Sequence, residues 1–92
     1  MSIFKRFEYD PAKNAFNLAR HGIDFEDAQQ IWENVYVENN LPYSMERRFM
    51  VTGLIEDKFW SAIITYRHEV IRIISVRRAR PQEIARWQVH NN

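Results

Sequence analysis

The sequence predicts an α+β domain in which a hairpin of two helices packs on an antiparallel β-sheet and a C-terminal helix follows the last strand. Three observations point there. Asp10-Pro11 and Gly22 frame one helical stretch, and a second apolar-periodic stretch begins two residues later at Asp24. Three strand-like segments, 48–55, 59–66 and 70–77, succeed one another across short turns. Pro81, with Ile84 and Trp87 one helical turn apart, then opens the final helix.

Each element has a local cause. Residues 3–9 alternate in part and carry three aromatics, Phe4, Phe7 and Tyr9, which suits a short first strand. In the first helix the Asp10 carboxylate can accept backbone N–H groups, and proline at the first helical position lacks an N–H that would be unpaired there anyway. Ala12, Ala15, Phe16 and Ala19 form an apolar stripe at helical spacing, and Gly22 stops the helix. Asp24 caps the second helix, whose apolar face is Phe25, Ala28, Ile31, Trp32 and Val35. A connection this short predicts a helical hairpin. Residues 36–46, with Asn39, Asn40 and Pro42, read as a loop. The three strands form an antiparallel meander turning at Glu56-Asp57-Lys58 and Arg67-His68-Glu69, and Ile63-Ile64 and Ile73-Ile74 predict burial on both sheet faces. One face takes the hairpin and part of the other takes the C-terminal helix, whose tail at 89–92 is expected to fray.

The chain has 92 residues, enough for one domain spanning 1–92 with a modest core. It has no cysteine, so disulfides and thiolate metal sites are excluded, and His21, His68 and His90 are not at ligand spacing. No metal or other cofactor is expected. No stretch has the length of a membrane span or the pattern of a signal peptide, so the expectation is a soluble cytoplasmic protein with no membrane partner.

A formal net charge of +1 conceals an asymmetry. From Gly22 to Glu46 there are six acidic residues and no lysine or arginine; from Arg47 onward nine bases face four acids. A basic half suits an anionic partner, although charge runs also serve solubility. The densest stretch is 66–80, where Arg67, Arg72, Arg77, Arg78 and Arg80 thread an otherwise apolar strand. Several unpaired arginines on one strand are too costly to bury, so they point to solvent, an anion or a protein partner.

Two blocks, FEYDPAKNAFNLARHGIDFEDA and VIRIISVRRARPQE, resemble the BrnT toxins of bacterial type II toxin-antitoxin systems. That family's pattern runs F-E-W/Y-D-x-x-K, then N-x-x-K-H-G-V/I-x-F-x-E/D-A, then V/I-I-R-I-I-S-A-R, and the likeness extends from Phe7 to about Trp87. It implies a RelE-like fold, a growth-arresting endoribonuclease that inhibits translation, and a cognate ribbon-helix-helix antitoxin of the BrnA kind. Promoter DNA is then expected to be bound only through the antitoxin complex. The chain departs from the pattern at Arg20, where lysine is usual, and at Ile64, Tyr66 and His68. Threonine is usual where Arg80 stands, which predicts loss of the capping box with Glu83.

Metal-independent RNA cleavage needs the 2′-OH deprotonated, the developing phosphoryl charge stabilised and a proton for the 5′-oxygen. With the resemblance in hand, Arg67 and Arg77 are the candidate stabilisers and His21 the candidate proton-transfer group, though His21 equally suits the end of a helix. Lys13, Arg72, Arg78 and Tyr66 are candidate RNA contacts, Tyr66 by stacking on a base. Arg72, Arg78 and Arg80 are the candidate antitoxin surface. Strand alternation predicts that Arg72 and Arg78 share a face and Arg77 takes the other. Phe16, Phe25 and Trp32 are expected in the core, and His68 in a solvent-facing turn. A non-catalytic nucleic-acid- or antitoxin-binding module, acting as a co-repressor, is the alternative function.

Overall fold

A computed structural model describes residues 5–42 and 45–91. In chain order the elements are β1 (Arg6–Glu8), α1 (Pro11–His21), a 3-10 helix (Asp27–Glu33), β2 (Tyr36–Leu41), β3 (Arg48–Ile55), β4 (Lys58–Arg67), β5 (Val70–Arg78) and α2 (Pro81–His90). The strands form one sheet in the order β1-β5-β4-β3-β2. The meander of β3, β4 and β5 is antiparallel as expected, but β1 runs parallel to β5, so the sheet is mixed. Of the first strand, residues 3 and 4 lie outside the described residues.

Local signals set α1 as anticipated. The Asp10 carboxylate accepts the Ala12 N–H at 2.8 Å, and Gly22 ends the helix at a φ of 76°, where a side chain would be strained. The second helix is 3-10 rather than α. Within it Ala28 and Ile31, both fully buried, are three residues apart, the period at which 3-10 side chains align, and Phe25 is buried in the turn before it. Asp24, expected as its cap, lies one turn earlier and accepts the Asp27 N–H at 2.8 Å, while the cap position itself is Glu26, whose side chain makes no capping bond. No hairpin of α-helices forms: α1 lies against β5 and the 3-10 helix against β3 and β4. Val35, expected on the apolar face, is 51% exposed.

The segment expected as a loop is instead β2, an edge strand paired with β3 from Tyr36↔Gly53 to Leu41↔Arg48. Glu38 and Asn40, on the side of the covered face but past its helices, are exposed, the polar dress that suits an edge strand. Gly53 matters here, because a Cβ at that position would meet Ile31 Cγ2 at 3.1 Å and the Val35 carbonyl at 3.3 Å. Its lack of a side chain lets the 3-10 helix sit on the strand.

The core lies between the sheet and its helical cover of α1 and the 3-10 helix. Phe25, Ala28, Ile31 and Trp32 meet Val51, Ala62, Ile64, Ile71, Ile73 and Val76, with Phe7 edge-on to Trp32 at 5.1 Å. We call this the covered face. α1 reaches it by an unexpected side. Phe16 is 64% exposed, and the buried residue of the helix is Asn17, whose amide donates to the Ile23 carbonyl at 2.9 Å and accepts the Val76 N–H at 3.0 Å. Asn14 accepts the Phe25 N–H at 2.7 Å. The two asparagines thus do for the crossover what an apolar stripe was expected to do.

α2 covers only one end of the opposite face, contacting β3 and β2. There Trp87 donates to the Val35 carbonyl at 3.0 Å and stacks edge-on with Phe59 at 4.9 Å. The helix continues through His90, so residues 89 and 90 are ordered into it rather than frayed. Half of the capping box survives at its start: the Glu83 carboxylate accepts the Arg80 N–H at 2.9 Å, while arginine offers no acceptor for the reciprocal bond.

Candidate nucleic-acid interface

A bulge in β5 decides which arginines stand together. Ser75 pairs with Ile63 and Ile73 with Ile64, which leaves Ile74 as the extra residue and reverses the alternation. Arg77, opposite Ser61, and Arg72, opposite Thr65, therefore share one face, and Arg78, opposite Trp60, takes the other. This overturns the expected pairing of Arg72 with Arg78. Arg67, opposite Val70, belongs to the same side as Arg72 and Arg77. Pairing across β1 and β3 adds Arg6 and Glu8, opposite Val70 and Arg72, and Arg48, on the side of Met50 and Thr52. We call this the arginine face.

Its two ends differ. Under α2, Arg77 grips Glu83 with both nitrogens at 2.9 and 2.8 Å. Glu83, 3% exposed, also accepts from the Ser61 hydroxyl at 2.9 Å, and Ser61 bonds Thr52 at 2.8 Å. Burial pushes the Glu83 carboxyl up, but hydrogen bonds from Arg77, the Arg80 backbone and Ser61 outweigh it and hold the group at about 2. Arg77 is the strut that fastens α2 to the sheet.

At the far end, beyond α2, Arg6, Arg48, Arg67 and Arg72 gather. Arg72 is held by Glu8 and Arg48 by Glu46, each at 3.1 Å. The Arg48 Nε is buried with no hydrogen-bond partner among the described residues. Arg6 and Arg67 are exposed and form no ion pair within the described residues. Thr65 ties this end together by donating to the Arg47 carbonyl at 2.6 Å.

Over the rim, on the covered-face side, Tyr66 donates to Glu38 at 2.5 Å and meets Phe49 edge-on at 5.3 Å. The Arg47 guanidinium lies 5.8 Å from the Phe49 ring, and Arg47, Phe49, Thr65 and Tyr66 line a cavity of about 270 Å³. Burial, then the hydrogen bond to Glu38, raises the Tyr66 hydroxyl far above its ordinary range. It remains a protonated donor at any physiological pH.

The candidate catalytic set is not assembled in one place. His21 precedes Gly22, which lines a cavity with Ile55, Glu56, Asp57 and Lys58 at the start of β4, whereas Arg67 is the last residue of that strand. Ten residues of strand span about 30 Å, so His21 and Arg67 serve different sites. Arg77, opposite Ser61, lies six positions along β4 from Arg67. Lys13 is exposed on α1, outside the covered face. Arg78 stacks on Trp60 at 5.4 Å and donates to the Phe59 carbonyl at 3.3 Å, and Arg80 is exposed at the α2 cap, so the three residues of the candidate antitoxin surface do not share a face. His68, with a φ of 52°, occupies the exposed β4–β5 turn as expected. Glu38, Phe49, Arg47, Arg48 and Arg6 were missed. The β3–β4 hairpin, continued from its turn, already opposes Arg48 to Thr65, but nothing local announces that β1 joins β5.

The chain is thus a small α+β domain with one sheet face half covered and the open end of that face lined with arginine. The model of the ribonuclease toxin BrnT of type II toxin-antitoxin systems matches residues 9–83, and the chain belongs to that family. The 1.1 Å crystal structure of the Brucella abortus ribonuclease toxin BrnT superposes with a TM-score of 0.65 at 22% identity, covering 84% of this chain and 99% of that one. No curated protein matches the sequence. No described helix is long and apolar enough to cross a membrane.

Proposed function

We propose that the chain is an endoribonuclease toxin that cleaves RNA without an obligatory metal at the open end of the arginine face, so inhibiting translation in the cytoplasm. The observation that carries this is the gathering of Arg6, Arg48, Arg67 and Arg72 beyond the reach of α2, two of them with no carboxylate partner among the described residues. A guanidinium fork matches phosphoryl oxygens and stabilises the charge that develops on them. Arg67, exposed and without an ion pair among the described residues, is the best placed to do so, with Arg72 oriented by Glu8.

In this reading the backbone lies along the arginine face and one base turns over the rim to stack at Phe49 and Tyr66, in the cavity that Arg47 borders. Tyr66, held protonated, donates to Glu38, which fixes the ring on which that base stacks. The 2′-OH gives up its proton to water as its oxygen attacks phosphorus, the bond to the 5′-oxygen breaks, and that oxygen takes up a proton from water. The products are a 2′,3′-cyclic phosphate and a 5′-hydroxyl. Arg77 contributes through α2 and not through phosphate. Family membership also favours a ribbon-helix-helix antitoxin as partner, with promoter DNA bound by the complex.

Incubating the purified, antitoxin-free chain with RNA in EDTA tests the proposal. Cleavage to those two termini is the expected result; intact RNA would return the chain to the class of binding modules.

A further inference from the structure

Among the described helices, α1 turns its apolar stripe to water. Ala12, Ala15, Phe16 and Ala19 recur at i, i+3, i+4 and i+7, and all four are exposed, while the polar Asn17 is buried beneath them. The buried side is already saturated, because Asn17 satisfies the Ile23 carbonyl and the Val76 N–H. The stripe therefore has no use in this chain's own fold. A helix that spends its asparagines inward and its phenylalanine outward is shaped for a partner. Lys13 and Arg20, seven residues apart, line one border of the stripe, and α1 contains no acidic residue.

We propose that this face of α1 is the docking site of the antitoxin, and that it receives an amphipathic helix whose apolar residues cover Phe16 and whose acidic residues meet Lys13 and Arg20. The proposal rests on the reading of the chain as one half of a toxin-antitoxin pair. Charge complementarity selects this occupant over a second copy. Two α1 helices crossing at Phe16 in antiparallel fashion would put Lys13 of one beside Arg20 of the other, and in parallel would set each cation against itself. The site also fits neutralisation. α1 lies over β5, and among the described residues β1 is the one strand between β5 and that edge of the sheet. A chain leaving α1 reaches Arg6 and Arg72 on the arginine face by crossing β1, so docking on one face and occlusion of the other can belong to a single partner.

The test uses the full chain and a ribbon-helix-helix antitoxin of the BrnA kind, with affinity measured by calorimetry. Phe16→Ser should weaken the complex tenfold or more while leaving the melting temperature and RNA cleavage of the free chain unchanged. Arg20→Glu should weaken it in a salt-dependent manner. Wild-type binding with unchanged affinity in both variants overturns the docking site and spares the toxin reading. A wild-type chain that dimerises alone and becomes monomeric on Phe16→Ser assigns the stripe to a second copy and overturns the proposal. Failure of the wild type to bind the antitoxin at all removes the proposal together with its premise. Absence of RNA cleavage, with Phe16→Ser still weakening the complex, upholds the docking site and removes only the enzyme.

Discussion

At the scale of single residues, partners separate arginines that the sequence presents as equals. Arg77 is saturated by Glu83, so Arg77→Ala should act through stability: leaving Glu83 buried and unpaired costs about 3 kcal/mol or more, read as a lower denaturation midpoint. Arg67→Ala should leave the midpoint within about 0.5 kcal/mol and lower the cleavage rate by roughly two to three powers of ten. Equal stability losses for the two would undo the distinction. The Glu83 carboxyl sits at about 2 when folded against an ordinary 4.5, so the unfolded chain binds the proton more readily. Its contribution is fully present above pH 4.5 and is lost as pH falls toward 2. An acid titration of stability should therefore show a drop in that window that Glu83→Gln lacks. His21→Gln should leave cleavage by the folded fraction intact, since His21 is a strand's length from Arg67. Abolished cleavage in a well-folded His21→Gln variant would move the site to the other end of β4.

Elements were legible where their causes are local. The Asp10 cap, the Gly22 stop, the three central strands and the Pro81 start all follow from residues within a turn of the feature they produce. What escaped depends on distant pairing. β2 carries loop-like asparagines because it is an edge strand, and its pairing to β3 cannot be seen in 36–41 alone. The bulge at Ile74 has no glycine to announce it, yet it decides which face Arg72 takes. Helical periodicity likewise located the stripe on α1 but not the direction it faces, because two asparagines bonding the backbone of Ile23, Phe25 and Val76 outcompete it. Asn17→Ala should accordingly be among the costlier changes in the helix, about 2 to 4 kcal/mol for a buried carbonyl and a buried N–H left unpaired. Gly53→Ala should cost about 1 to 3 kcal/mol by pressing a methyl group against Ile31. Both are read by chemical denaturation, and a neutral Asn17→Ala would mean that α1 is held chiefly by other contacts.

At the scale of the whole molecule, the charge asymmetry of the sequence raised the expectation of an anionic partner but could not say which arginines would stand together. Arg6 from one end of the chain, Arg48 from its middle and Arg67 and Arg72 from the last hairpin meet only because the sheet interleaves them. The parallel strand β1 makes that assembly a matter of timing. Glu8 and Arg72, which bond at 3.1 Å, are 64 residues apart, and Asn17 waits 59 residues for the Val76 N–H. The segment made early therefore has no sheet to join until β5 has been synthesised. Contacts so distant in sequence are slow to form, and the early segment stays unassembled while the ribosome works through the middle of the chain. The arginine face thus cannot exist on a half-made chain, and a ribosome interrupted before Val70 releases a polypeptide that lacks Arg72 and the strand against which Arg6 and Glu8 pair. The interval between translating β1 and completing β5 is a delay written into the sheet order, during which β1 has no strand to pair with.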